Sequence, residues 1–225
     1  SRLLISEAPL ADGGDIGAIL EAGAEDDYRD TIDTLSDEPC FWLYSSGIDG
    51  HPRATIHCHA SLVQMGVLGI STRDRILSVA PLYSAYGLCN SLIFPMVAGA
   101  MAVLKSGRRT IKDLIRYLTG VAPAKVVGAR PTVLFGVPAA FSALLADAEC
   151  PQASDVSMRL CVSAGDALSA SLQRRFEQRL GVQVLNGFSA TEMLHIYLSN
   201  TPQENENGTV GKPVPGFRMR LVDEQ

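Results

Sequence analysis

From Pro39 onward, short apolar runs alternate with amphipathic stretches of helical period, and this alternation constrains the fold more than any other feature of the chain. Strands are predicted near residues 41–45, 76–79, 100–104, 132–135, 159–163 and 182–186, and helices near 85–98, 110–118, 138–147 and 168–180. Strands alternating with helices imply an α/β fold built on parallel sheet. Two of the helices announce their ends. Thr110 precedes the stripe Ile111, Leu114, Ile115 and Leu118, and a second helix opens at Ser169 and closes at Gly181. The run FWLY, residues 41–44, reads as a buried strand, and residues 217–222 read as an alternating strand beyond a polar Gly/Pro turn region.

A chain of 225 residues, 47% of them apolar and 19% charged, can bury a sizeable core. Its net charge of −5 and lack of clustered Lys and Arg argue against a general nucleic-acid surface or an anionic-membrane surface. No apolar run approaches the ~20 residues of a membrane span, so a cytoplasmic location is expected. Five cysteines, at positions 40, 58, 89, 150 and 161, are odd in number and mostly flanked by apolar residues, which implies free, mostly buried thiols. His57-Cys58-His59 lacks the further ligands that a zinc site needs. Residues 1–38, rich in Asp, Glu, Gly and Ala, read as the lead-in segment of a truncated N-terminal region, and 39–225 as the main body; Ser1 and Gln225 both read as cut ends.

Three stretches carry chemistry. In FWLYSSGIDGHPRATIHCH an apolar run empties into Ser45, Ser46, Gly47 and Gly50, small residues that let backbone N–H groups face an anion. In LCVSAGDALSASL a strand ends at Ser163-Ala164-Gly165 and turns into a helix, the place where ligands dock in an open α/β sheet. In VLNGFSATEMLHIYLSN a strand reaches Asn186-Gly187 and presents Thr191 beside Glu192, a hard-oxygen pair suited to phosphate-bound Mg²⁺. No GxSxG elbow accompanies Ser163 and Asp166, which argues against a hydrolase triad.

Taken in order with AYGL, RPTVLFGVP and GTVGKPVPG, these stretches resemble the adenylate-forming superfamily of acyl-CoA synthetases and adenylation domains, closest to its benzoate- and 2-aminobenzoate-CoA ligase branch. The resemblance runs from Pro39 to Asp223 and implies the large N-terminal part of such an enzyme, with parallel-sheet subdomains. It also implies that the chain stops before the family's ribose-binding Asp, its hinge and its C-terminal domain. The implied reaction has two halves: a carboxylate attacks the α-phosphate of ATP, with Mg²⁺, to form an adenylate, and the thiol of CoA then displaces AMP. By resemblance, Ser45, Ser46, Gly47 and Gly50 line the triphosphate, and Thr191 and Glu192 place Mg²⁺ and the α-phosphate. Gly165, Asp166, Ala167, Asn186 and Gly187 flank the adenine. Ala85, Tyr86, Ala164, Phe188, Ser189 and His195 form the aryl pocket, although on sequence alone Tyr86 and Phe188 read as core aromatics and His195 as a core histidine. Ser189 stands where relatives have Gly, which favours a small ring such as benzoate or 2-aminobenzoate.

The loop departs from the family's pattern. Where the family has Thr, Lys and Gly, this chain has Asp49, Arg53 and Ala54. A carboxylate at Asp49 repels phosphate oxygens, and a planar guanidinium does not fill a lysine's place. The segment after His59 also looks shortened. The leading expectation is therefore part of an aryl-CoA ligase-like enzyme that binds an aromatic carboxyl group and delivers it to a thiol. An ATP-independent transferase moving an aryl group from aryl-CoA to an acyl carrier protein, directly or through a cysteine such as Cys89, is the alternative. A non-catalytic binding module is the third.

Overall fold

The structure is a computed structural model that describes residues 32–47, 49–63, 69–104, 110–121 and 130–223. The chain divides into two units, Ser1–Leu35 and Ser36–Gln225, and nearly all of the first lies outside the described residues. The questioned helical register after His59 falls on residues 64–68, also outside them.

In the second unit, β1 (Pro39–Ser45) and β2 (Arg53–Cys58) form an antiparallel hairpin, with Trp42 opposite Ile56 and Ser45 opposite Arg53. A short helix, α1 (His59–Val63), follows. The main sheet holds β3 (Arg75–Ser78), β4 (Met101–Val103), β5 (Val133–Gly136), β6 (Leu160–Ser163), β7 (Val184–Ser189), β8 (Ile196–Ser199) and β9 (Lys212–Pro213), in the order β4-β3-β5-β6-β7-β8-β9. The first five strands are parallel, and β8 and β9 return antiparallel. Such a sheet is buried on both faces, which is why its strands read as continuous apolar runs.

Side chains alternate across the pleat and divide the core in two. One face carries Ile76, Val133, Phe135, Leu160, Val162 and Leu185 against Tyr86, Ile93 and Phe94. Those last three come from α2 (Ala85–Leu88), a π-helical stretch (Cys89–Ile93) and α3 (Phe94–Ala98), a continuous helical path over the predicted 85–98. The other face carries Leu77, Leu134, Cys161 and Val184 against α4 (Ile111–Thr119), α5 (Pro138–Ala146) and α6 (Ala170–Leu180). Local chemistry starts these helices as expected: Thr110 and Asp113 satisfy each other's backbone N–H in a capping box, and the Ser169 hydroxyl accepts from Leu172 N.

Two expectations need correction. Residues 41–44 are not a buried strand: Trp42 is 53% exposed and Tyr44 65%, because β1 belongs to the hairpin and covers only one of its faces. Residues 217–222 pair with no strand among the described residues. The chain turns at Pro215 and Gly216, where Phe217 N donates to the Val214 carbonyl, and alternation without a neighbouring ladder does not make a strand. Strands β2, β8 and β9 were not anticipated.

The opposite, N-terminal edge of the sheet is held by one carboxylate. Asp74, 3% exposed, accepts from Arg159 Nε (2.8 Å) and Thr132 Oγ1 (2.8 Å) on one oxygen. Its other oxygen accepts from Arg159 Nη2 (2.6 Å) and Ser71 N (2.8 Å). Since Asp74, Thr132 and Arg159 directly precede β3, β5 and β6, the cluster ties three adjacent strand starts. The Arg159 guanidinium holds the Asp74 carboxyl well below the usual carboxylate range.

Asp74→Ala strands these donors and is expected to lower unfolding free energy by about 3 kcal/mol in urea titrations at neutral pH. A carboxyl with a depressed folded pKa stabilises fully above its unfolded value of about 4 and loses that contribution as pH falls toward the folded value. The gap between wild type and variant should therefore be constant near neutrality and narrow below about pH 4. A gap under about 1 kcal/mol, the size expected of an exposed pair, contradicts this account.

Candidate active site

The loop between β1 and β2 has a glycine frame with an acid built into it. Gly47 sits at φ 65°, and a Cβ there would lie 2.4 Å from the His51 carbonyl oxygen, so only glycine fits. Asp49 turns inward on the loop itself. One of its carboxylate oxygens accepts from His51 N (3.2 Å) and the other from Arg53 Nη2 (3.1 Å). Arg53, followed by the backbone donor, holds the Asp49 carboxyl below its ordinary value, so it is an anion at working pH. An exposed pair of this kind contributes little to stability. Its consequence is local: a backbone N–H and the loop's one cation already face an anion. Ser45 ends β1, Ser46 and Gly50 are exposed beside it, and Ile48 lies outside the described residues.

The residues expected to flank adenine lie where the parallel pairing of β6 and β7 ends. Ser163 stands opposite Asn186 in the parallel register, so the turn Gly165-Asp166-Ala167 lies beside Asn186-Gly187. Asp166 accepts from Ala167 N at 2.8 Å. Asn186 donates through Nδ2 to the Thr209 carbonyl at 2.8 Å, which ties the GTVG segment to the sheet. Its Oδ1 and the hydroxyl of Ser163 are buried without a hydrogen-bond partner. Two such atoms in adjacent strands are a polar demand that a ligand's donors or acceptors would meet.

After β7 a single turn of 3₁₀ helix, Thr191–Met193, presents Thr191 and the exposed Glu192. It ends at Leu194, a buried non-glycine residue at φ 67°, ψ −39°, with His195 N donating to Met193 O at 2.8 Å. This is a γ-turn, a conformation with real backbone cost that persists where its surroundings enforce it. A cavity of about 260 Å³ opens here, lined in part by His57, Ser61, Glu192, Met193 and Phe217. Among the described residues no three His, Cys, Asp or Glu gather into a metal cage. One carboxylate with one hydroxyl nevertheless fits Mg²⁺, which is commonly bound through one or two carboxylates plus substrate phosphates and water.

Of the six residues assigned to the aryl pocket, Ala85, Tyr86, Ala164 and His195 lie together. Tyr86 and His195 stack at 5.2 Å, and Ala164 belongs to the same buried cluster with Ala85 packed against it. The Tyr86 hydroxyl donates toward the Gly136 and Val162 carbonyls, and burial raises its pKa well above the usual value, so it stays a neutral phenol. His195 Nε2 lies 2.8 Å from the side-chain amide of Asn90, a hydrogen bond that fixes the ring. Burial holds the His195 pKa down to about 3, leaving a neutral imidazole. Phe188 is set apart. It is 51% exposed, it stands edge-on to Tyr197 at 5.4 Å, and a register shift separates it from Ser189.

Cys89, weighed as a covalent way-station, is fully buried. Its thiol donates to the Leu194 carbonyl, and desolvation pushes its pKa up to about 12, so it supplies no thiolate. All five cysteines are free. Sequence reasoning missed Asn90 and Thr209, which orient His195 and Asn186, and the role of His57, whose ring stacks on Phe41. Each acts through a partner far off in the sequence, and no local pattern marks it.

A family model described as AMP-binding enzyme matches residues 5–225. The chain is 41% identical over 215 residues to benzoate–CoA ligase of Thauera aromatica, covering 93% of this chain and 39% of that protein. It is 33% identical over 200 residues to anthranilate–CoA ligase of Pseudomonas aeruginosa, covering 83% and 35%. Among solved structures, a benzoate CoA ligase from Burkholderia xenovorans LB400 superposes with a TM-score of 0.82 at 36% identity, over 98% of this chain and 43% of that one. An anthranilate CoA ligase in complex with anthranoyl-AMP superposes with a TM-score of 0.81 at 28% identity, over 98% and 42%. The chain thus spans well under half the length of these relatives.

If Asp49 competes with phosphate for the loop's donors, Asp49→Thr together with Arg53→Lys should tighten ATP·Mg binding to the full-length protein by about tenfold, the removal of one charge-assisted competitor. Titration calorimetry measures this. Unchanged affinity would mean that the triphosphate does not engage this loop.

Proposed function

The chain belongs to the AMP-binding enzyme family, and we propose that it is the acid- and nucleotide-binding part of an enzyme that captures a small aromatic carboxylate and delivers it to a thiol. The observation that carries this reading is the placement of the Tyr86–His195 stack and Ala164 under the same strand ends that present Asn186, Thr191 and Glu192. A flat ring seated over small residues at Ala85, Ala164 and Ser189 would direct its carboxylate toward the Thr191 turn.

The proposed chemistry follows from charge and position. A carboxylate oxygen attacks the α-phosphorus of ATP, the bond to the bridging oxygen breaks, and pyrophosphate leaves. The thiolate of CoA then attacks the acyl carbon, and AMP departs with the oxygen that attacked. Adenine would rest between Gly165-Asp166-Ala167 and Asn186-Gly187. Thr191 and Glu192 would hold Mg²⁺, whose contribution when bound is to neutralise phosphate charge. Neutral His195 and neutral Tyr86 are poor proton carriers here, which makes them walls and anchors of the ring's seat.

The Asp49–Arg53 pair favours a second reading. With the loop engaged by its own carboxylate, an enzyme could skip ATP and exchange thiols: a carrier-protein thiolate attacks the carbonyl of an aryl-CoA, the C–S bond to CoA breaks, and the CoA thiolate takes up a proton. The buried, protonated Cys89 supports direct attack over a covalent cysteine route.

Assays of the full-length protein with benzoate, 2-aminobenzoate, hydroxybenzoates and octanoate, scored for pyrophosphate exchange and for thioester, separate these readings. Single-ring acids should be preferred, and Ala164→Val, which adds two methyl groups to the ring's seat, should raise KM for benzoate by about tenfold or more, given 1–3 kcal/mol for overpacking. A preference for octanoate, or no effect of Ala164→Val, contradicts the aryl reading. Transfer from aryl-CoA to a carrier without ATP, and no exchange with it, selects the second.

A further inference from the structure

The hairpin that carries the phosphate loop and the turn that carries Thr191 and Glu192 lie far apart in the chain, and a buried histidine joins them. His57, on β2, is 5% exposed and faces its cross-strand partner Phe41, the two rings stacked at 5.3 Å. Its Nε2 lies 2.9 Å from the carbonyl oxygen of Thr191. A carbonyl only accepts, so His57 donates through Nε2–H. The same oxygen also accepts from Leu194 N at 3.1 Å, closing the short helical turn. Both acceptor positions of the Thr191 carbonyl are therefore engaged, one from within the turn and one from the hairpin. The strained residue Leu194 follows directly, at φ 67°.

This arrangement fixes more than one residue. Thr191 and Glu192 project from a peptide whose carbonyl is held on both sides, and the hairpin that holds it also carries Ser45–Arg53. A triphosphate must meet the loop and the turn together, so the distance between them has to be set before substrate arrives. Resting on the ligase reading above, we propose that His57 is a positioning residue that locks the Thr191–Glu192 turn to the phosphate-loop hairpin through its Nε2–H. In this role it acts through the Thr191 peptide.

The test compares the full-length enzyme with His57→Leu, which keeps an apolar side chain but loses the donor, and with His57→Gln, which restores an N–H at similar reach. Phe41→Leu serves as a control that removes only the ring stack. His57→Leu should lower kcat for benzoyl-adenylate formation by roughly 30- to 100-fold, the cost of about 1 Å of misplacement, and raise the Mg²⁺ concentration needed for half-maximal rate. KM for benzoate should stay within about twofold, because the ring's seat is untouched. His57→Gln should recover most of the loss and Phe41→Leu little of it should show. Equal damage in the Leu and Gln variants, or a rise in benzoate KM matching the fall in kcat, would reduce His57 to packing and overturn the inference.

A readout independent of activity separates this inference from the ligase reading. The ¹⁵N signals of His57 should show Nε2 protonated and hydrogen-bonded, and the Thr191 carbonyl ¹³C signal should shift in His57→Leu but return toward wild type in His57→Gln. A ring protonated at Nδ1 alone, or a Thr191 signal indifferent to the substitutions, overturns the inference even in an active ligase. The expected signals in a protein without adenylation activity would overturn the ligase reading while supporting His57 as the lock on the turn.

Discussion

The parallel register of β6 against β7, which sets Ser163 opposite Asn186, is the constraint on which the site depends. Because these strands run together, both of their following turns emerge at one edge, and residues some twenty positions apart in sequence become neighbours there. The opposite edge is tied by the Asp74 carboxylate, with donors from the starts of three strands. One edge is thus closed by satisfied charge, while the other is left with buried polar atoms unpaired and a leucine at positive φ. Polar demand and backbone strain concentrate at the end of the sheet where chemistry would occur, which is how folded structures generally place such costs.

The phosphate loop sets the terms on which a nucleotide could enter. Gly47, at positive φ and with no room for a side chain, is a position only glycine can hold, although the family's closing glycine is Ala54 here. The anion it meets first is its own Asp49. A triphosphate would have to displace that carboxylate from His51 N and Arg53, or accept it as an unfavourable neighbour. Tyr86, Ala164 and His195, by contrast, are buried together and uncharged.

The sheet was legible in the sequence because buried parallel strands leave unbroken apolar runs, and helices announce their starts through residues such as Thr110 and Ser169. The misread segments share a cause. Residues 41–44 look like core, and residues 217–222 look like a strand, but composition does not reveal whether a neighbouring element is there to cover or pair them. Within the site, motif order located the loops. It did not reveal that Phe188 would stand half-exposed against Tyr197, nor that His57 would donate to a carbonyl 134 residues away. Such contacts are products of topology, and a local pattern holds no trace of them.

On the proposed reading, an aromatic carboxylate is activated on this scaffold by attack on a phosphate and then passed to a thiol. Its most direct test is to supply the full-length protein with benzoate labelled with ¹⁸O in the carboxyl group, together with ATP, Mg²⁺ and CoA, and to weigh the products by mass spectrometry. The account predicts benzoyl-CoA with one labelled oxygen and AMP carrying the other. Benzoyl-CoA formed alongside unlabelled AMP, or no thioester from free benzoate under any condition, would contradict it.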